Sequence, residues 1–130
     1  MRTPFLALAL FTLAACGSDS TGPGGNPNGT YTLKTVDNKA LPVAFADSTI
    51  QSGELVVTDA GWSQITVVRY VAGGSGSANG DTLTLAGAWA TQGSDITLWD
   101  SGLNTQYTGT FTSKTLNLTT KTATVLSYSK

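Results

Sequence analysis

Glu54 to Val71, ELVVTDAGWSQITVVRYV, decides the fold class. Two runs rich in Val, Ile, Thr and aromatic residues flank Asp59-Ala60-Gly61. β-branched and aromatic side chains suit a pleated, half-buried surface, and a short Asp/Gly cluster between two such runs reads as a hairpin. The spacing predicts a strand over Glu54 to Thr58, a three-residue turn with glycine where a positive φ is needed, and a long strand over Trp62 to Val71.

Working outward, the same cadence recurs. Thr30 to Val36 (TYTLKTV) puts Tyr31 and Leu33 on one side and Thr32 and Lys34 on the other. After a loose loop at Ala72 to Ser77 and an Asn79-Gly80 turn come strand candidates at Thr82 to Thr91, Ile96 to Asp100, Thr105 to Ser113, Thr115 to Thr120 and Ala123 to Ser129. No segment repeats apolar residues at helical spacing over the ten or more positions a helix needs. The domain therefore reads as all-β, an antiparallel meander of about eight strands. It either closes into a small barrel or folds as a β-sandwich. Asp37 to Ser48 (DNKALPVAFADS) fits a wide loop or a short helical turn around Pro42.

One face of the later strands carries Leu83, Leu85, Trp89, Ile96, Leu98, Tyr107, Phe111, Leu116 and Leu118, while the facing set is largely threonine and alanine. The alternation makes the first set the expected core. Such a surface serves either a filled interior or a pocket with aromatic walls and a few orienting polar groups. On the second reading the ligand-binding candidates are Tyr31, Trp62, Tyr70, Trp89, Tyr107 and Phe111.

Composition narrows the chemistry. Charged residues are 12% of the 130 and the formal net charge is -1, so there is no basic field to hold nucleic acid. Histidine is absent, which removes the usual base near neutral pH and the commonest transition-metal ligand. The one cysteine, Cys16, cannot form an intramolecular disulfide.

That cysteine closes an N-terminal export layout. Met1-Arg2 is a short positive region, Pro4 to Leu13 (PFLALALFTL) is apolar, and Ala14-Ala15 are small. The apolar run is shorter than the roughly 20 residues a bilayer span needs. Leu13-Ala14-Ala15-Cys16 resembles the lipobox of bacterial lipoproteins. The resemblance implies that residues 1–15 are a signal peptide and that Cys16 carries diacylglycerol and a further acyl chain. Several buried chains anchor a protein stably where one does so only marginally. Gly17 follows the cysteine, not the aspartate associated with inner-membrane retention, so the expected location is the cell envelope, at the outer membrane where the host has one. From Gly17 to Asn28, GSDSTGPGGNPN has nothing to bury and reads as a flexible tether with a span of roughly 20 Å. Residues 16–28 thus join a lipid anchor to a domain at 29–130.

Gly29-Thr30-Tyr31 opens the first strand and resembles the Gly-x-Trp start of lipocalins, with tyrosine in place of tryptophan. Ala86-Gly87-Ala88-Trp89 through Ile96-Thr97-Leu98, then Tyr107-Thr108-Gly109-Thr110-Phe111, Leu116-Asn117-Leu118 and Tyr128-Ser129-Lys130 resemble the cadence of small bacterial lipocalin-like lipoproteins. The resemblance implies a β-barrel with an apolar cavity and no catalysis. The domain is shorter than an ordinary lipocalin, which implies a small cavity.

Catalytic patterns do not assemble. Cys16 is expected to be blocked as a thioether, and Gly73-Gly74-Ser75-Gly76-Ser77 lacks the final glycine of a nucleophile elbow. Asp37, Asp59, Asp81 and Asp100 fall in apparent turns, where a carboxylate caps backbone donors. No glycine-rich loop ends in Gly-Lys-Ser/Thr, and Asp37-Asn38 alone does not make a calcium ladder. The sequence thus predicts no cofactor, no metal site and no nucleic-acid partner. It predicts a non-catalytic lipoprotein that meets the membrane through its lipid and binds a small apolar ligand. Its rivals are an interaction module that contacts an envelope protein through Asp37 to Ser48 and Gly73 to Gly80, and a hydrolase using carboxylates alone.

Overall fold

The computed structural model describes residues 25–70, 80–102 and 106–130. The signal peptide, Cys16 and most of the tether lie outside the described residues, as do the Ala72 to Ser77 loop and the start of the Thr105 strand. Among the described residues there are ten strands and no helix: β1 (Gly29–Val36), β2 (Lys39–Ala40), β3 (Val43–Ala44), β4 (Ser48–Thr58), β5 (Gly61–Tyr70), β6 (Asp81–Gln92), β7 (Asp95–Asp100), β8 (Gln106–Phe111), β9 (Thr115–Thr119) and β10 (Val125–Ser129).

Each long strand pairs antiparallel with its sequence neighbour from β4 to β10. β1 then closes the ring by dividing its length: Gly29 to Thr32 pair with Val57 to Glu54 of β4, and Thr32 to Val36 pair with Ser129 to Leu126 of β10. The result is a closed, eight-stranded antiparallel barrel with β2 and β3 as short additions, and the sandwich alternative is excluded. A barrel closes only if its strands are staggered. The stagger is visible on β6, where Asp81 to Gly87 pair with β5 while Gly87 to Gln92 pair with β7.

Two inward glycines permit that geometry. A Cβ at Gly87 would collide with the carbonyl oxygen of Trp99, and one at Gly109 with that of Asn117. Neighbouring backbone comes this close only where no side chain intervenes.

Several boundaries differ from the sequence reading. Asp37 and Asn38 both adopt positive φ (49° and 63°), forming a two-residue hairpin between the paired Val36 and Lys39. Short Asp and Asn side chains tolerate that conformation, so Asp37 to Ser48 is neither a wide loop nor a helical turn. β4 starts at Ser48, six residues before the expected Glu54, because Ser48, Thr49, Ile50, Ser52 and Gly53 still find partners on β5, with Gln51 left out at a bulge. Thr58 pairs with Gly61, so the β4–β5 loop is the two residues Asp59-Ala60, not three.

Tyr31, Val36, Leu55, Val57, Ile96, Leu98, Phe111, Leu116 and Leu118 are all at most 1% exposed and form one core. Leu85 and Trp89 pack against it, half-buried. Leu83 was expected among them and is 48% exposed. It pairs with Thr66, which in turn pairs with Gly53, so the side chains beside it are too short to cover it.

The end of the barrel where β1 begins is closed by its own chain. The Tyr31 hydroxyl donates to the Pro27 carbonyl at 2.6 Å, and Lys130 Nζ lies 4.8 Å from the Tyr31 ring centroid while donating to the Asn28 carbonyl at 2.8 Å. Asn28 Nδ2 also donates to Asp59 in the β4–β5 loop.

Candidate functional site

The inward side of β5 reads Trp62, Gln64, Thr66, Val68, Tyr70, and polar Gln64 breaks the apolar series. Directly opposed residues of an antiparallel pair share a face. Gln64 therefore shares the barrel interior with Leu55 on one side and Leu85 on the other. It is 6% exposed, and its Nε2 donates to the Tyr128 hydroxyl at 2.9 Å and to Thr66 Oγ1 at 3.2 Å. Both amide hydrogens are thereby used. Its Oε1 is buried and accepts no hydrogen bond. An unsatisfied buried acceptor costs on the order of 1–3 kcal/mol, so it calls for an explanation.

Further polar groups converge on the same interior. Tyr128 is 2% exposed, and burial, reinforced by Tyr107, pushes its hydroxyl well above the ordinary tyrosine range. Tyr107 is raised by burial and then by the charge of Asp100. Asp100 is 7% exposed at the end of β7, paired with Gly87, and accepts the backbone N–H of Gly102. The turn-capping role read from sequence is thus present, but it operates inside the barrel wall. Trp62 stacks edge-on against Tyr107 with centroids 5.9 Å apart, and its Nε1 donates to the carbonyls of Ala88 and Trp99 at 3.0 and 3.1 Å.

The sequence-derived candidates separate into three groups. Tyr31, Trp62, Tyr107 and Phe111 come together in the core, each at most 6% exposed. Trp89 lies at its margin, with Nε1 donating to the Thr58 carbonyl at 2.7 Å. Tyr70 stands apart, half-buried and paired with Ser48 at the far end of β5. Cys16 lies outside the described residues. Reasoning from aromatic content missed Gln64 and Tyr128. Parity along WSQITVVRY could have found Gln64, since a polar residue in the core register is the informative exception.

Alongside this cluster, the inward side of β6 packs against the core at Leu85 and Trp89 and is exposed at Leu83. Leu83, two residues from Leu85 on the same face, leaves hydrocarbon open to solvent beside Thr66, while Leu85 pairs with the buried Gln64. Two open grooves lie on the wall. One, of about 330 Å³, is lined by Val56, Thr58, Ser63 and Ala86 together with the buried Trp62, and another, of about 400 Å³, lies beside Ala90, Gln92, Asp95 and Thr97 at the β6–β7 hairpin.

Among the described residues no three potential metal ligands cluster, and Asp100 is the one buried carboxylate. Fold and site together define, among the described residues, a small closed β-barrel with a packed aromatic core, a buried Gln64–Tyr128 pair and one exposed inward leucine, Leu83. No family model matches the chain, and neither a curated protein nor a solved structure matches it.

Proposed function

We infer that this chain is a lipid-anchored envelope lipoprotein whose lipocalin-like barrel holds a small ligand and performs no catalysis. The observation that carries the binding half is the exposed inward Leu83 of β6. In a barrel whose other described strands keep their inward leucines at 7% exposure or less, Leu83 stays 48% exposed, two residues along the same face from Leu85, which pairs with the buried Gln64. An apolar wall with a few convergent polar groups is the usual make-up of a small-molecule site. The anchoring half rests on the LAAC sequence at Leu13 to Cys16 and on the Gly17 to Asn28 tether.

Titration of the purified protein with fatty acids, isoprenoids and haem, followed by the fluorescence of Trp62 and Trp89, tests the binding half. A saturable change is expected, and no response to any of them would count against it. For the anchor, Cys16→Ser is expected to abolish fatty-acid labelling and leave the chain uncut. Normal labelling of that variant would remove the lipoprotein reading.

Exposed apolar side chains favour a second reading, an interaction module. Phe45 is 44% exposed within the Asp37 to Ser48 segment, and Ile65 and Trp99 are 42% and 41% exposed on the outer wall. Crosslinking in intact cells that repeatedly recovers one envelope protein through Phe45 would favour it over ligand binding.

A further inference from the structure

We propose that the outer wall over β6 to β10 is a docking surface for an uncharged polysaccharide, centred on Trp99. It involves neither the barrel interior nor the lipid, and so stands apart from the reading above.

The wall has two unlike halves. Outward positions of β1, β4 and β5 carry exposed charges, among them Lys34, Glu54 and Arg69. On β6 to β10 the outward positions are hydroxyl, amide and small apolar residues apart from Trp99, and Asp95 beside the β6–β7 turn is the one charge there among the described residues. In this neutral half Trp99 is 41% exposed, while Leu98 and Asp100 on either side of it are buried. A tryptophan is buried on average, so one held this far in solvent is informative. Directly opposed residues share a face. Trp99 therefore stands between Ala88, too short to cover it, and Gln106, with Thr97 and its partner Thr108 one step along the same face. Threonines at the turns spend their hydroxyls on the chain: Thr112 accepts from the backbone N–H of Lys114 and Thr115, and Thr120 from that of Thr124. The side chains of Thr97, Gln106 and Thr108 make no hydrogen bond among the described residues. Thr97 also borders the groove of about 400 Å³ at the β6–β7 hairpin, so the surface beside Trp99 is concave on that side.

A sugar ring presents a face of C–H groups and a rim of hydroxyls. The indole suits the face, and threonine hydroxyls and a glutamine amide, each able to donate and accept, suit the rim. A polyanion would find no cation on this half of the wall to hold it. A protein partner would need a cluster of large apolar anchors, where this surface offers one.

The test titrates the full chain calorimetrically with three neutral hexasaccharides, cellohexaose, maltohexaose and N-acetylchitohexaose, and with hexagalacturonate as the anionic counterpart. Saturable binding of at least one neutral probe is expected, with hexagalacturonate weaker than it. Trp99→Ala is expected to weaken that binding about tenfold, the upper range for one stacked aromatic ring. Gln106→Ala, expected to weaken it about threefold, serves if Trp99→Ala does not fold. No binding of any neutral probe, tighter binding of hexagalacturonate, or binding that ignores both substitutions would overturn the inference. So would a photocrosslinker introduced at position 99 that captures an envelope protein in intact cells. None of these outcomes touches the fatty-acid, isoprenoid and haem titration of the interior.

Discussion

β9 and β6 carry the same alternation of apolar and polar residues, and the structure treats them differently. Leu116 and Leu118 of β9 are fully buried, whereas no residue of β6 is, and Leu83 is half in solvent. The difference lies in what each strand faces. Leu116 and Leu118 sit beside Phe111, Leu126 and Tyr128, large side chains from the two neighbouring strands. Leu83 sits beside Thr66, with Gly53 beyond it. Alternation determines which face a residue occupies, but the size of its neighbours determines whether that face is covered. In this barrel the exposed leucine lies opposite Thr66, one step along the face from the Gln64–Leu85 pairing.

The contrast is sharpened first at the glycine that lets β8 and β9 approach. Gly109→Ala drives a methyl group into the Asn117 carbonyl, and the expected loss is at least about 3 kcal/mol, enough to prevent folding of a small domain. Circular dichroism and urea unfolding check this. Next comes the direct comparison of sides. Phe111→Ala should cost about 3–5 kcal/mol, while Leu83→Ala should cost less than about 1 kcal/mol because its surface is already wet. Equal losses in urea melts would break the comparison.

Alkaline pH probes the buried phenols. Tyr31, Tyr107 and Tyr128 have folded-state values raised above the ordinary 10.0, mainly by burial. Above pH 10 the unfolded chain releases tyrosine protons that the folded chain retains, so stability should be level through neutrality and fall beyond pH 10. Each such tyrosine removes at most about 1.4 kcal/mol per pH unit. Urea midpoints measured from pH 7 to 11 would show it, and a midpoint that rises above pH 10 would contradict the burial of these hydroxyls. At Gln64 two effects oppose each other. Gln64→Leu removes the orphan acceptor but leaves the buried Tyr128 hydroxyl without its donor, each about 1–3 kcal/mol, so the net change in stability is expected to be small.

The strand order was legible because each hairpin is local. WSQITVVRY and its neighbours announce their own period, and turns at Asp59-Ala60 and Gly93-Ser94 are marked by small polar residues. Closure was not legible. It depends on β1 splitting its partners between β4 and β10, a long-range pairing of residues roughly a hundred positions apart that no local pattern encodes. The early start of β4 was hidden for a related reason: Ser48 to Gly53 lack apolar alternation and are recruited by β5. At the site, aromatic side chains drew attention to Trp62 and Tyr107, which stabilise the core. Gln64 mattered through its parity, and Tyr128 through a contact 64 residues away in sequence.

Native mass spectrometry with organic extraction, on the protein purified from its own envelope, tests the central claim most directly. A small molecule recovered in stoichiometric amount with the domain is the expected result, and its chemistry would identify the ligand class. A mass accounted for by the acylated chain from Cys16 to Lys130 alone, with nothing extracted, would contradict ligand binding and turn attention to Phe45 and the outer wall.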